Sequence, residues 1–107
     1  MATQEYLKVT KYLAKGDNWK FTGTFTTDIP DIDSWTKKMH IQKSIVSASL
    51  AEVELAGSGK VYTGELTKAQ SAELERKAGG YFIRVVASKA GEEMRTLTSQ
   101  DSRLYIF

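Results

Sequence analysis

Trp19-Lys20-Phe21-Thr22-Gly23-Thr24-Phe25-Thr26 is the stretch that decides the fold. Aromatic residues and glycine occupy the odd positions, and lysine and threonine the even ones. This period of two places every ring on one side of an extended chain, whereas a helix would scatter the rings around its axis. A half-buried antiparallel strand follows, apolar inward and hydroxylated outward. Lys15-Gly16-Asp17-Asn18 just before it is turn chemistry. Upstream of that turn, Tyr6 to Leu13 is rich in Tyr, Leu, Val and Thr and reads as a first strand. The two segments are expected to form a hairpin.

The same alternation recurs to the C-terminal side. Asp28 to Asp33 reads as a loop, because Pro30 cannot donate to a ladder. Trp35, Met39 and Ile41 then share a face opposite Thr36, Lys38, His40 and Gln42. Lys37 interrupts that apolar face, which places it near an edge or has its stem snorkelling outward. Ser44 to Leu55 fits a strand with Ser47, Ser49, Ala51, Val53 and Leu55 on one face. It also fits a helix with Val46, Leu50 and Val53 in a stripe. A loop followed by a strand over Leu50–Leu55 is the preferred reading. Ala56-Gly57-Ser58-Gly59 reads as a turn, and Lys60 to Leu66 as the next strand. Thr67 and Gln70 have capping-box spacing, and good helix formers follow up to Gly79-Gly80. One short helix of about three turns is expected near residues 67–77, plugging an end of the sheets. Tyr81 to Ser88 is the most β-prone segment and reads as a central strand covered on both sides. Glu93 to Thr98 and Arg103 to Phe107 supply the last strands. The sequence thus predicts an all-β, antiparallel β-sandwich of about seven or eight strands, with turn signals at the spacing such domains show.

The 107 residues bound this to one domain, residues 1–107. Apolar residues make up 41% and charged residues 26%, an ordinary globular balance. Cysteine is absent, so neither a disulfide nor a thiolate metal site is possible. Fifteen basic and thirteen acidic residues leave a formal charge of +2, too even for a nucleic-acid footprint. No apolar run approaches the roughly 20 residues of a membrane span, and the first fifteen positions do not read as a signal peptide. The expectation is a chain that folds in the cytoplasm where it is made, with no nucleic-acid or membrane partner.

Candidates for chemistry are few. His40 is the single histidine and lies on a strand without a nucleophile motif around it, so it reads as solvent-facing. Asp28, Asp31 and Asp33 could offer oxygen to Ca²⁺, but their spacing is not that of an EF-hand, and turn-forming aspartate is the plainer reading. Glu52/Glu54 and Glu92/Glu93 read as solvated charges. Gly57-Ser58-Gly59 and Gly79-Gly80 do not match a phosphate loop. Lys37, Lys38, His40 and Lys43 form a modest basic stretch near Trp35 that could clamp a single strand or a glycan, with a solvated edge-strand guard against aggregation the preferred reading. No catalytic residue, cofactor or metal site is expected. Tyr6, Tyr12, Tyr105 and Phe107 are the candidate interface, since terminal strands often form edges and aromatic residues anchor contacts.

The order of segments carries a resemblance. Lys15-Gly16-Asp17-Asn18-Trp19 running to Phe25, then Asp31-Ile32-Asp33-Ser34-Trp35 running to Ile41, then Gly64 to Leu74, then Gly80 to Val86 and the closing Leu104 to Phe107, resemble a small β-sandwich domain of tailed-bacteriophage virion proteins. The N-terminal domain of upper baseplate proteins is one example. The resemblance spans residues 15–107 and implies a structural role. It suggests a non-catalytic module that docks into a tail, baseplate or neck assembly, or anchors fibres. Its partners would be other virion proteins and further copies of itself, and its location the virion. The alternative is a carbohydrate-binding sandwich of a host-surface adhesin, with Trp35, Lys37, Asp31 and Asp33 as the sugar platform.

Overall fold

A computed structural model describes residues 5–44 and 46–107; Met1 to Gln4 and Ile45, the last within the ambiguous Ser44–Leu55 segment, lie outside the described residues. The Trp19 alternation becomes a strand, β2 (Trp19–Thr24), and Trp19, Phe21 and Phe25 are buried while their even-numbered neighbours face water. Seven further strands are β1 (Thr10–Leu13), β3 (Thr36–Gln42), β4 (Ser49–Ser58), β5 (Val61–Leu66), β6 (Tyr81–Ser88), β7 (Arg95–Thr96) and β8 (Arg103–Ile106). They form one sheet in the order β1-β8-β6-β3-β4-β5-β2, with β7 paired to β6 beside β8. Its two ends approach each other, because Glu5 ahead of β1 pairs with Thr26 beyond β2. The chain is therefore all-β, and its sheet is nearly closed and barrel-like.

Inside lies one apolar cluster, to which β2, β3, β4, β5, β6 and β8 all contribute; Met39, Ile41, Tyr62, Leu66, Val85 and Leu104 are wholly removed from water. Burial of such side chains contributes on the order of 1.5–3 kcal/mol each, offset by the entropy of ordering the chain. The joint of the fold is β4. Its first part pairs with β3 over Ser49–Leu55, and its last three residues pair instead with β5, Ala56 to Thr63, Gly57 to Tyr62 and Ser58 to Val61. Ala56, Gly57 and Ser58 thus extend the strand, and the turn falls at Gly59-Lys60, where both residues take left-handed backbone.

Several expectations are corrected. β1 and β2 do not form a hairpin: β2 pairs antiparallel with β5, Phe21 opposite Gly64, and β1 runs parallel to β8, Tyr12 opposite Tyr105. The sheet is therefore not wholly antiparallel. The turn is present, with Asp17 N–H donating to the Ala14 carbonyl, but Lys15 N–H already bonds the Phe107 carbonyl. β1 is instead carried to the β8 end of the sheet order and β2 to the β5 end, so the two strands joined by the turn are not neighbours in the ladder. The helix α1 (Lys68–Ala72) is only five residues long. Its capping box forms as expected, with Gln70 N–H donating to Thr67 Oγ1 and Thr67 N–H to Gln70 Oε1. It stops early because Leu74 is drawn into the core, while the Tyr81 hydroxyl accepts from Glu75 N–H and donates to Glu75 O, both at 2.8 Å. A side chain replaces the bonds the next helical turn would have made.

Candidate functional site

Three of the four candidate interface residues, Tyr12, Tyr105 and Phe107, lie on the outer face of the two terminal strands or just beyond their end. Along β8, Arg103 and Tyr105 point outward while Leu104 and Ile106 are buried. On β1, Tyr12 stands outward beside Tyr105, and the parallel register stacks the two rings with centroids 4.9 Å apart at 16°. Tyr105 also lies across Gly80, where a Cβ would come within 2.8 Å of the ring. The absence of a side chain there lets the phenol lie flat on the sheet. Tyr12 and Phe107 remain 67% and 63% exposed, a large apolar area to leave in water at the end of one strand pair. Tyr6 is also exposed, but it lines a different feature, a groove beside β6. The structure thus brings together Tyr12, Tyr105 and Phe107 and sets Tyr6 apart.

That groove has a volume of about 620 Å³ and opens where the neighbour of β6 changes from β7 to β8. Leu97 N–H and the Ser102 carbonyl still bond β6, at Val85 O and Ile83 N–H, but residues 98–101 between them leave the ladder, and Thr98 fills the gap: its Oγ1 accepts from Val85 N–H at 3.0 Å. Arg84, on the other face of β6, projects outward, and its Nε and one terminal nitrogen both donate to Thr96 Oγ1 at 3.1 Å. The Phe82 ring lies under the guanidinium of Arg103, 3.7 Å from the ring centre. This groove, with Arg84 in its lining and Arg103 at its rim, escaped the reading of the sequence, because it depends on where the 98–101 excursion leaves the sheet. The alternation of Phe82 and Arg84 with buried Tyr81, Ile83 and Val85 was the signal available.

The aspartates of the Asp28–Asp33 loop diverge. Asp28 pairs with Arg95 at 2.7 Å. Asp31 pairs with Lys89 at 2.6 Å and accepts from the Trp35 indole N–H at 3.1 Å. The Lys89 bond and then the indole bond hold the Asp31 carboxyl down at about 2. Asp33 accepts from the Tyr62 hydroxyl and from Gly59 N–H, which lowers its pKa, while burial first and Asp33 second push the Tyr62 phenol up to about 12. Each carboxylate has its own donor, and among the described residues no three metal-ligating side chains converge.

Lys37 corrects the expectation of an edge or snorkelling lysine. It lies on a central strand and is 4% exposed. Its ammonium sits 4.1 Å from the centre of the Tyr62 ring and donates to the carbonyls of Ile32 at 3.0 Å and Asp33 at 3.3 Å, in the 3₁₀ turn Ile32–Ser34. Burial lowers its pKa and the nearby Asp33 opposes that. Trp35 is buried as well, so Trp35 and Lys37 are not presented to water as a sugar platform. The basic stretch is divided accordingly: Lys37 faces in, whereas Lys38 pairs with Glu52 outside at 3.4 Å. His40 stands half-buried on the outer face between Glu52 and Arg84, its pKa lowered chiefly by burial. No helix among the described residues is long and apolar enough to cross a membrane. No protein-family model matches this chain, and a search of curated proteins finds no significant match.

Proposed function

We propose that the protein is a non-catalytic structural module of a bacteriophage virion, a β-sandwich that docks into a tail, baseplate or neck assembly or anchors fibres. The observation that carries the docking reading is the aromatic face of the terminal strands, Tyr12 stacked on Tyr105 with Phe107 beyond it. Tyrosine and phenylalanine on a rigid backbone give large contact area at small entropic cost, which is why aromatic anchors dominate protein interfaces. The sandwich reading is supported by β4, whose first part pairs with β3 and whose last three residues pair with β5. The virion assignment rests on the order of segments from Lys15 to Phe107 that resembles phage baseplate sandwiches.

Mass spectrometry of purified particles tests the assignment: the chain is expected among the structural proteins, and its absence overturns the virion reading. A variant with Tyr12→Ser, Tyr105→Ser and Phe107→Ser is expected to fold yet fail to enter particles or to self-associate. Normal incorporation of that variant refutes the docking face.

A further inference from the structure

The groove beside β6 has a chemical character of its own. Tyr6 and Phe82 give it aromatic walls, Thr96, Ser99 and Gln100 give it hydroxyl and amide groups, and Arg84 gives it charge. No acidic side chain is among the described residues that line it. Asp101 stands next to the rim but is committed to Lys8 at 3.2 Å and to the Ser99 hydroxyl. Five cations of the described residues have carboxylate partners within 4 Å, and neither Arg84 nor Arg103 is one of them. Arg103 is held by the carbonyls of Gln100 and Ser102 and by its stack on Phe82, so it fixes the wall and the rim. Arg84 makes its two bonds to one neutral oxygen, that of Thr96. A half-buried guanidinium satisfied only by a hydroxyl gains strongly from a carboxylate, which matches its planar fork.

Resting on the reading of the chain as a docking module, we propose that this groove receives an extended acidic segment of a partner protein. A carboxylate of that segment meets Arg84, and an apolar or aromatic side chain beside it lies against Phe82 and Tyr6. Charge complementarity selects the occupant, because among the described residues that line the groove Arg84 is the one cation, it has no carboxylate partner there, and two aromatic rings share the lining with it. A nucleic-acid strand would need a row of cations to follow its phosphates. Here the next outward residues across the sheet, His40, whose charged form burial disfavours, and Glu52, lead away from a basic track. At about 620 Å³ the groove suits a short run of side chains and not a whole domain face.

The test is selection from a display library of random linear peptides on the intact protein, with fluorescence-anisotropy titration of the selected peptides. The expected consensus places Asp or Glu next to an aromatic or aliphatic residue. Arg84→Gln is expected to weaken binding at least about tenfold, and Arg84→Lys, which keeps the charge and loses the fork, by less. Tyr12→Ser should leave peptide affinity unchanged, and thermal melting establishes that each variant is folded. A consensus without acidic residues, or equal affinity for folded Arg84→Gln and the parent, overturns the proposal. So does binding of single-stranded oligothymidylate that Arg84→Gln abolishes while acidic peptides fail to bind; that result makes the groove a nucleic-acid site. Failure here does not touch the wider docking reading, because particle incorporation is read on the separate Tyr12, Tyr105 and Phe107 face.

Discussion

Replacing Gly64 by alanine probes the joint that gives the sheet its closed shape. Gly64 sits on β5 opposite Phe21, and the part of β4 just before it turns to pair with β5 lies across it. A Cβ at Gly64 would come within 2.5 Å of Leu55 Cδ2, 2.6 Å of Val53 Cγ1 and 2.9 Å of the Glu54 carbonyl oxygen. Carbon atoms pack best at about 3.5–4.0 Å, so roughly 1 Å must be found against two buried side chains and a backbone carbonyl that cannot rotate away. Overpacking of this kind costs about 1–3 kcal/mol, and the immovable carbonyl puts Gly64→Ala at the upper end. The narrower unfolded ensemble of alanine returns about 0.4–1 kcal/mol, leaving a net loss of about 2–3 kcal/mol. For a domain of this size that is a fall in Tm of about 10–20 °C. The control is Gly16→Ala, where φ is +88° and nothing lies within 4 Å of the added carbon. It bears only the left-handed backbone cost of about 1–2 kcal/mol. Thermal unfolding followed by circular dichroism measures both. Gly64→Ala melting within about 3 °C of the parent would show that β4 does not press on β5 as described.

Lys37→Met removes the buried ammonium and its bond to the Asp33 carbonyl, while the Ile32 carbonyl keeps the Trp35 N–H, so urea unfolding should show a loss of about 1–3 kcal/mol. Unchanged stability would mean that desolvating the charge cancels all it gains from the turn and from Tyr62. Asp31, Asp33 and Asp101 all have folded pKa values below their ordinary ones. Their contribution is therefore complete above the unfolded carboxylate range and drains as pH falls through the folded values, towards about pH 2 for Asp31. Unfolding midpoints measured between about pH 5 and pH 2 should decline, and Asp31→Asn should flatten that decline. An identical acid limb in Asp31→Asn refutes the role given to the Lys89 and Trp35 bonds.

The strands and the inward-facing residues were legible along the chain, because a period of two is a property of consecutive residues. Trp19, Phe21 and Phe25 are buried as their alternation predicts, and so are Met39 and Ile41. The Thr67–Gln70 cap was legible for the same reason, since both of its partners lie within one turn. The helix length was not, because the hydroxyl that ends the helix belongs to Tyr81. Of the four interface candidates, Tyr12, Tyr105 and Phe107 could be named from their strands, yet their assembly into one face required the parallel pairing of β1 with β8.

By itself the sequence determined an all-β chain, a set of inward rings, and a distribution of charge without a basic track. The tertiary structure alone decided which strand lies beside which. It alone turned Lys37 from an edge residue into a buried cation over Tyr62, and placed Arg84 in a groove that no carboxylate among the described residues lines. The physical reason is range. Alternation and capping are set by neighbours in the chain, whereas a backbone hydrogen bond is satisfied equally well by any strand of suitable register. Pairing partners, and the pockets left where a pairing breaks, are therefore chosen by how the whole core closes.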